Sequence, residues 1–185
     1  QTALIGKWHL VSTPTGFDYY NILPAQGDYY NPNFINMDGT TTREKGYVTN
    51  IVTDKAIDWM EHKRDKSKPF ILFIHHKACH RDWLPELKYL HEYEDKTFAL
   101  PSTFYDDYKG RPAAAAQEME IKNNDHMDIV YDNKMYYPGA DTRLTDTYLA
   151  MIGRLNSKDR AEYDYFYDSL ATDFNNRHLT GKALA

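Results

Sequence analysis

A chain of 185 residues with 42% hydrophobic and 26% charged side chains can bury one core and has the make-up of a globular protein, which excludes general disorder. Its formal charge of −5 argues against nucleic acid as the main partner, because phosphate backbones are bound chiefly by clustered Lys and Arg. The longest apolar run, residues 70–74, is far below the ~20 residues of a membrane helix, so no membrane span is expected. The chain opens on Gln1 with no basic leader, and the start is expected to be internal to a larger protein. Cys79 is the single cysteine, which leaves no internal disulfide and no thiolate metal site. The 16 tyrosines would suit a sugar-facing surface, but core and surface packing is the expected role for most of them.

In chain order, residues 2–5 read as a short buried strand ending at Gly6, and residues 6–33, rich in Gly, Pro, Asn and Tyr, read as loop. The tetrapeptide DYYN occurs at 18–21 and again at 28–31, too short and too few for a repeat architecture. Residues 33–44 have the pattern of a hairpin turning at Asp38-Gly39. From about 50 to 64, Val52, Ala56, Trp59, Met60 and Lys63 fall at helical spacing, with Thr49 or Asn50 as N-cap. After Pro69, residues 70–75 form a continuous apolar run, as expected of a strand covered on both faces. A short helix is predicted after Pro85 and another at Pro112. Two more are predicted at 141–154 and 158–175, the last capped by Ser157. The fold class is therefore α/β with a mostly helical second half, read as one partial domain over residues 1–185.

Two short stretches concentrate basic groups. GKWHL (residues 6–10) sits where a buried strand ends, the place where open α/β sheets present ligand groups. Lys7 and His9, two apart, point to one side if the extended geometry continues. On spacing alone, the better explanation of the pair is a solvated Lys7 and a His9 hydrogen-bonded beneath a loop. The second stretch, HHKACHRDW (residues 75–83), follows the second buried strand and packs three histidines, a lysine and an arginine into seven residues. Such crowding is unfavourable unless an anion or a carboxylate neutralises it.

IGKWHL (residues 5–10), followed by Gly16-Phe17-Asp18, resembles the second signature of the type I, formylglycine-dependent sulfatases of the alkaline phosphatase superfamily. KPFILFIHHKACHRDWLP (residues 68–85) is similar to their later strand and histidine-bearing loop. The two motifs stand in the family's order, and the likeness is strongest over residues 1–112. Cys79 stands where many relatives carry Pro, and Val11 where Gly is frequent.

The resemblance implies part of an alkaline-phosphatase-like sandwich with a mainly parallel sheet, and a sulfuric ester hydrolase acting on sulfated carbohydrates. Carried over by position, Lys7 would neutralise sulfate oxygens, His9 would contact the formylglycine hydroxyls and His80 would protonate the leaving alcohol. Lys77, Arg81 and Trp83 would add charge or meet the substrate. The loop at residues 80–83 most resembles that of enzymes acting on glucosamine 6-sulfate units of glycosaminoglycans, and iduronate and sulfoglucosamine enzymes share much of it. The family's habit implies a periplasmic, secreted or lysosomal parent that uses Ca²⁺ and formylglycine. This chain supplies neither in full: Cys79 is followed by His-Arg-Asp, no serine lies in a C/S-x-P-S/A-x-R motif, and no metal ligands are expected here. Asp106-Asp107, with no apolar strand before it, reads as a solvated or turn pair. The alternatives are a phosphodiester or phosphonate hydrolase of the same superfamily and a noncatalytic piece that holds an anionic glycan.

Overall fold

The computed structural model describes residues 1–117, 132–135 and 146–183, which fall into two compact units. Gln1–Leu84 with Leu144–Ala161 form the first, and Pro85–Arg143 with Glu162–Ala185 the second.

The first unit is built on a five-stranded sheet of β1 (Thr2–Lys7), β2 (Tyr19–Leu23), β3 (Asn33–Asn36), β4 (Thr41–Arg43) and β5 (Ile71–His75). The spatial order is β4-β3-β2-β1-β5, with β2, β1 and β5 parallel and β3 and β4 antiparallel. β1 lies between two parallel partners, and Ala3, Leu4 and Ile5 are accordingly fully buried. The mixed α/β class and the mainly parallel centre of the sheet agree with the expectation. The β3–β4 hairpin turns where predicted, with Asp38 Oδ1 accepting from the Thr40 amide at 2.9 Å.

β2 corrects the sequence reading, which assigned residues 6–33 to loop. The strand is short and carries Asn21 at a buried position, a residue depleted in strands because an unpaired amide is costly there. Here Asn21 faces its register partner Asn36, and its Nδ2 donates to Asn36 Oδ1 at 2.6 Å. That cross-strand bond satisfies the amide nitrogen, while Asn21 Oδ1 is buried without a partner, and the pairing is invisible along one segment.

Helix α1 (Val48–Asp58) packs on β1 and β5 and buries Val48, Val52 and Ala56, continued by Trp59 where the helix widens into a π-type turn, Trp59–Lys63. The predicted stripe is present, but the helix starts two residues before Asn50 with Tyr47 as N-cap and no side-chain cap. The Val48 amide instead donates to the Tyr29 carbonyl at 2.8 Å, so backbone from another loop satisfies an otherwise orphan donor. β5 also departs from expectation. It is the outer strand among the described ones, and Phe70, Ile71, Phe73 and Ile74 are 41–58% exposed rather than covered on both faces.

Beyond Pro85 the predicted helix is a single 3₁₀ turn, Leu87–Tyr89, and α2 (Pro112–Ala115) starts on its proline as expected. α3 spans Asp146–Ile152, and the residues predicted helical before it, 141–145, lie outside the described ones. α4 spans Ser157–Asn176 and is capped by Asn156, not Ser157. Asn156 Oδ1 accepts from the amides of Lys158 and Asp159, both at 3.0 Å, which makes Ser157 the first helical residue. In the second unit α4 buries Tyr163, Tyr167 and Ala171, one stripe at four-residue spacing, with Tyr163 donating to the Pro85 carbonyl. Among the described residues no helix is long and apolar enough to cross a membrane.

Candidate active site

Because β2, β1 and β5 are parallel, their carboxyl ends share one edge of the sheet, and the loops that follow them meet there. The chain leaves β1 towards β2 on one side and returns as β5 on the other. A crevice between strand ends at such a reversal is where open α/β sheets bind ligands. The junction of β1 and β5 leaves no room for a side chain: Gly6, at φ +106°, pairs with His75, and a Cβ on Gly6 would lie 2.0 Å from the His75 carbonyl oxygen. Only glycine fits, for both spatial and conformational reasons. The contact is completed by His75, whose Nδ1 lies 3.1 Å from the Lys7 carbonyl oxygen. Lys7 and His75 are thereby held at adjacent strand ends.

The loop after β5 is fixed from beneath by tyrosines. Tyr29 donates to the His80 carbonyl at 2.7 Å and Tyr47 to the Leu84 carbonyl at 2.9 Å, while the two rings stack 6.0 Å apart. Trp83 Nε1 donates back to the Cys79 carbonyl at 3.0 Å, and His80 Nδ1 lies 3.2 Å from the Arg81 carbonyl. The Ala78–Cys79 peptide is cis, and Cys79 itself is exposed and free.

Lys77 turns inward and is 3% exposed. Its ammonium pairs with Asp82 at 3.4 Å and lies 4.5 Å from the centre of the Tyr29 ring. Burial, and next the Lys77 charge, lower the pKa of Lys7 below its usual 10.5, and Asp82 opposes them. Lys7, Lys77 and Asp82 therefore form one electrostatic group with two cations and one anion. An added anion would balance it.

Of the predicted residues, Lys7 ends β1, and Lys77, His80, Arg81 and Trp83 lie in the loop that follows β5, from which the Lys77 charge reaches Lys7. His9 lies just beyond Lys7, with a backbone φ of 45°. Its Nε2 lies 3.3 Å from Nε2 of Gln26, which follows β2. Beside it is a cavity of about 340 Å³ lined by Trp8, His9, Ser12, Leu23, Pro24 and Ala25 among others. Sequence reasoning missed Gln26, Tyr29, Tyr47 and Asp82. Only Asp82, a carboxylate inside a basic run, carried a local signal.

The sulfatase family model matches residues 1–165. The chain belongs to the sulfatase family. It is 41% identical over 191 residues to an N-acetylglucosamine-6-O-sulfatase of Bacteroides thetaiotaomicron, covering 100% of this chain and 33% of that protein. A solved structure of a protein in complex with its substrate D-glucosamine-2-N,6-O-disulfate is similar with a TM-score of 0.84 and 40% identity. That match covers 100% of this chain and 37% of the other. The sulfatase chain thus spans about a third of the length of the relatives it matches.

Among the described residues no three His, Cys, Asp or Glu side chains gather to hold a metal ion. Asp106 and Asp107, as expected for a turn pair, accept from the amides of Tyr108 and Lys109 at 3.0 and 2.9 Å, and Asp106 also pairs with Arg111. Hard cations need several oxygen ligands held together, and those carboxylates are engaged locally.

Proposed function

We propose that the full-length protein is a sulfuric ester hydrolase acting on sulfated carbohydrates, with glucosamine 6-sulfate units of glycosaminoglycans as the preferred class. The observation that carries this reading is the cationic group at the β1 and β5 ends, where Lys7 is held below its usual pKa by burial and by Lys77. An excess of positive charge at these strand ends, with Lys77 buried and Lys7 partly exposed, is suited to a sulfate ester, whose charge shifts during S–O cleavage. The relative active on N-acetylglucosamine 6-sulfate, 41% identical, supports the sugar class.

In this reading Lys7 neutralises sulfate oxygens and His9 contacts the attacking group. His80 gives a proton to the sugar oxygen as the S–O bond breaks, since an alkoxide is too basic to leave unassisted. Lys77 strengthens the positive field from beneath, while Arg81 and Trp83 meet the sugar. The enzyme's Ca²⁺ and formylglycine are proposed on family membership alone, and no step here runs through them. An extracytoplasmic compartment, periplasmic, secreted or lysosomal, is proposed on the same ground.

The test is sulfate release by the full-length protein from glucosamine 6-sulfate, N-sulfated and N-acetylated, alongside a phosphodiester and a phosphonate ester. Mass spectrometry for formylglycine accompanies it. Sulfate release with formylglycine present is expected. Turnover of the phosphorus esters alone, or none with formylglycine absent, would sink the proposal.

A further inference from the structure

We propose that Gln26 is the positioning residue for His9: its side-chain amide donates to imidazole Nε2 and fixes the ring as the Nδ1–H tautomer. This rests on the role given to His9 above and adds which ring nitrogen faces the reacting group.

The turn after β2 is built to deliver this side chain. β2 runs parallel to β1, so the segment Leu23-Pro24-Ala25-Gln26-Gly27 leaves the sheet on the same edge as Lys7 and His9. The Gly27 amide donates to the Pro24 carbonyl at 2.9 Å, closing the turn. Gly27 is at φ +70°, and a Cβ there would lie 2.8 Å from Leu23 Cδ1. The turn is thus tight against its own strand, and Gln26 at its tip reaches His9 Nε2 at 3.3 Å.

The orientation of the amide follows from burial. Gln26 Oε1 is buried without a hydrogen-bond partner. Turning the amide over would put its two N–H donors in that place, and buried unsatisfied donors are rarer than under-satisfied carbonyl oxygens. The nitrogen therefore faces His9. An amide N–H can meet an imidazole nitrogen only where that nitrogen offers a lone pair, so Nε2 is the acceptor and the proton sits on Nδ1. Free imidazole in water has no such constraint, and orienting a catalytic histidine through its second nitrogen is how tautomers are generally set. Gln26 touches neither substrate nor the reacting atoms in this scheme.

The experiment uses the full-length protein labelled with [¹⁵N]histidine, with His9 assigned by its loss in His9→Asn. Wild type should show a pyrrole-like Nδ1 and a pyridine-like Nε2 at His9. Gln26→Met, close in volume but without donors, should release that preference, and Gln26→Glu, which offers only acceptors, should move the proton to Nε2. Gln26→Met should also lower kcat about tenfold with KM within about twofold, the signature of a lost orienting bond. An Nε2–H signature in wild type, or a His9 tautomer unmoved in both variants, would overturn the proposal. If wild type hydrolyses no sulfate ester the functional reading fails, and the NMR signatures still decide the Gln26–His9 bond.

Discussion

Replacing Gly6 with alanine should damage the protein at the point where its two site-bearing strands meet. The added Cβ would sit 2.0 Å from the His75 carbonyl oxygen and 3.3 Å from Val52 Cγ1, and the first contact is with backbone that cannot rotate away. β1 and β5 would have to part by about 1 Å to reach the shortest carbon–oxygen separation proteins show. Overpacking of this kind costs about 1–3 kcal/mol. A backbone φ of +106° on alanine adds about 1–3 kcal/mol of conformational strain. A loss of about 2–6 kcal/mol should lower the melting temperature by about 2–5 °C in a full-length protein roughly three times as long as this chain. The displacement also separates Lys7 from the loop after β5, and a misplacement of about 1 Å can cost ~10²-fold in rate. Calorimetry and sulfate release at a temperature where the variant is still folded measure the two effects separately. An alanine variant that melts within 1 °C of wild type at full activity, about the scatter of such scans, would refute the reasoning.

Three other outcomes follow from the same geometry. Lys7 has a lowered pKa in the fold, so between that value and the usual 10.5 the unfolded chain binds more protons and stability rises with pH through that alkaline window; Lys7→Met should abolish the rise in urea titrations across it. Lys77→Met should move the Lys7 pKa up, and Asp82→Asn should move it further down, read by NMR of the lysine side-chain amines; the opposite order would contradict the electrostatic grouping. The 185-residue chain alone should show no aryl-sulfate turnover and no tight Ca²⁺ binding by calorimetry, since catalysis needs nucleophile, cation and acid to converge; micromolar affinity together with turnover would mean the site is misplaced.

The location of the candidate residues was legible because they are concentrated at strand ends. Lys7 follows the apolar, strand-like run Ala3-Leu4-Ile5 and HHKACHRDW follows a second apolar run, so both clusters could be placed at strand ends from the sequence. The supporting residues were not legible, because they act across long stretches of chain. Tyr29 reaches His80 over 51 residues and Tyr47 reaches Leu84 over 37. β2 hid behind Asn21, whose strand position makes sense only beside Asn36. The start of α1 was misjudged for a similar reason, since a carbonyl of Tyr29 does the work assigned to a side-chain cap. The exposed face of β5 could not be read locally either, because apolarity does not say whether a strand is central or outer.

The most direct test of the proposed chemistry is the leaving-group dependence of His80→Ala in the full-length protein, measured as kcat/KM on a glucosamine 6-sulfate and on an aryl sulfate. A phenolate needs little protonation, whereas a sugar alkoxide needs a general acid. The loss should therefore be larger on the sugar sulfate by about 10²-fold or more. Lys7→Ala, run beside it, should depress both substrates alike, because sulfate charge must be balanced whatever leaves. Equal losses on the two substrates in His80→Ala would contradict its role as the acid.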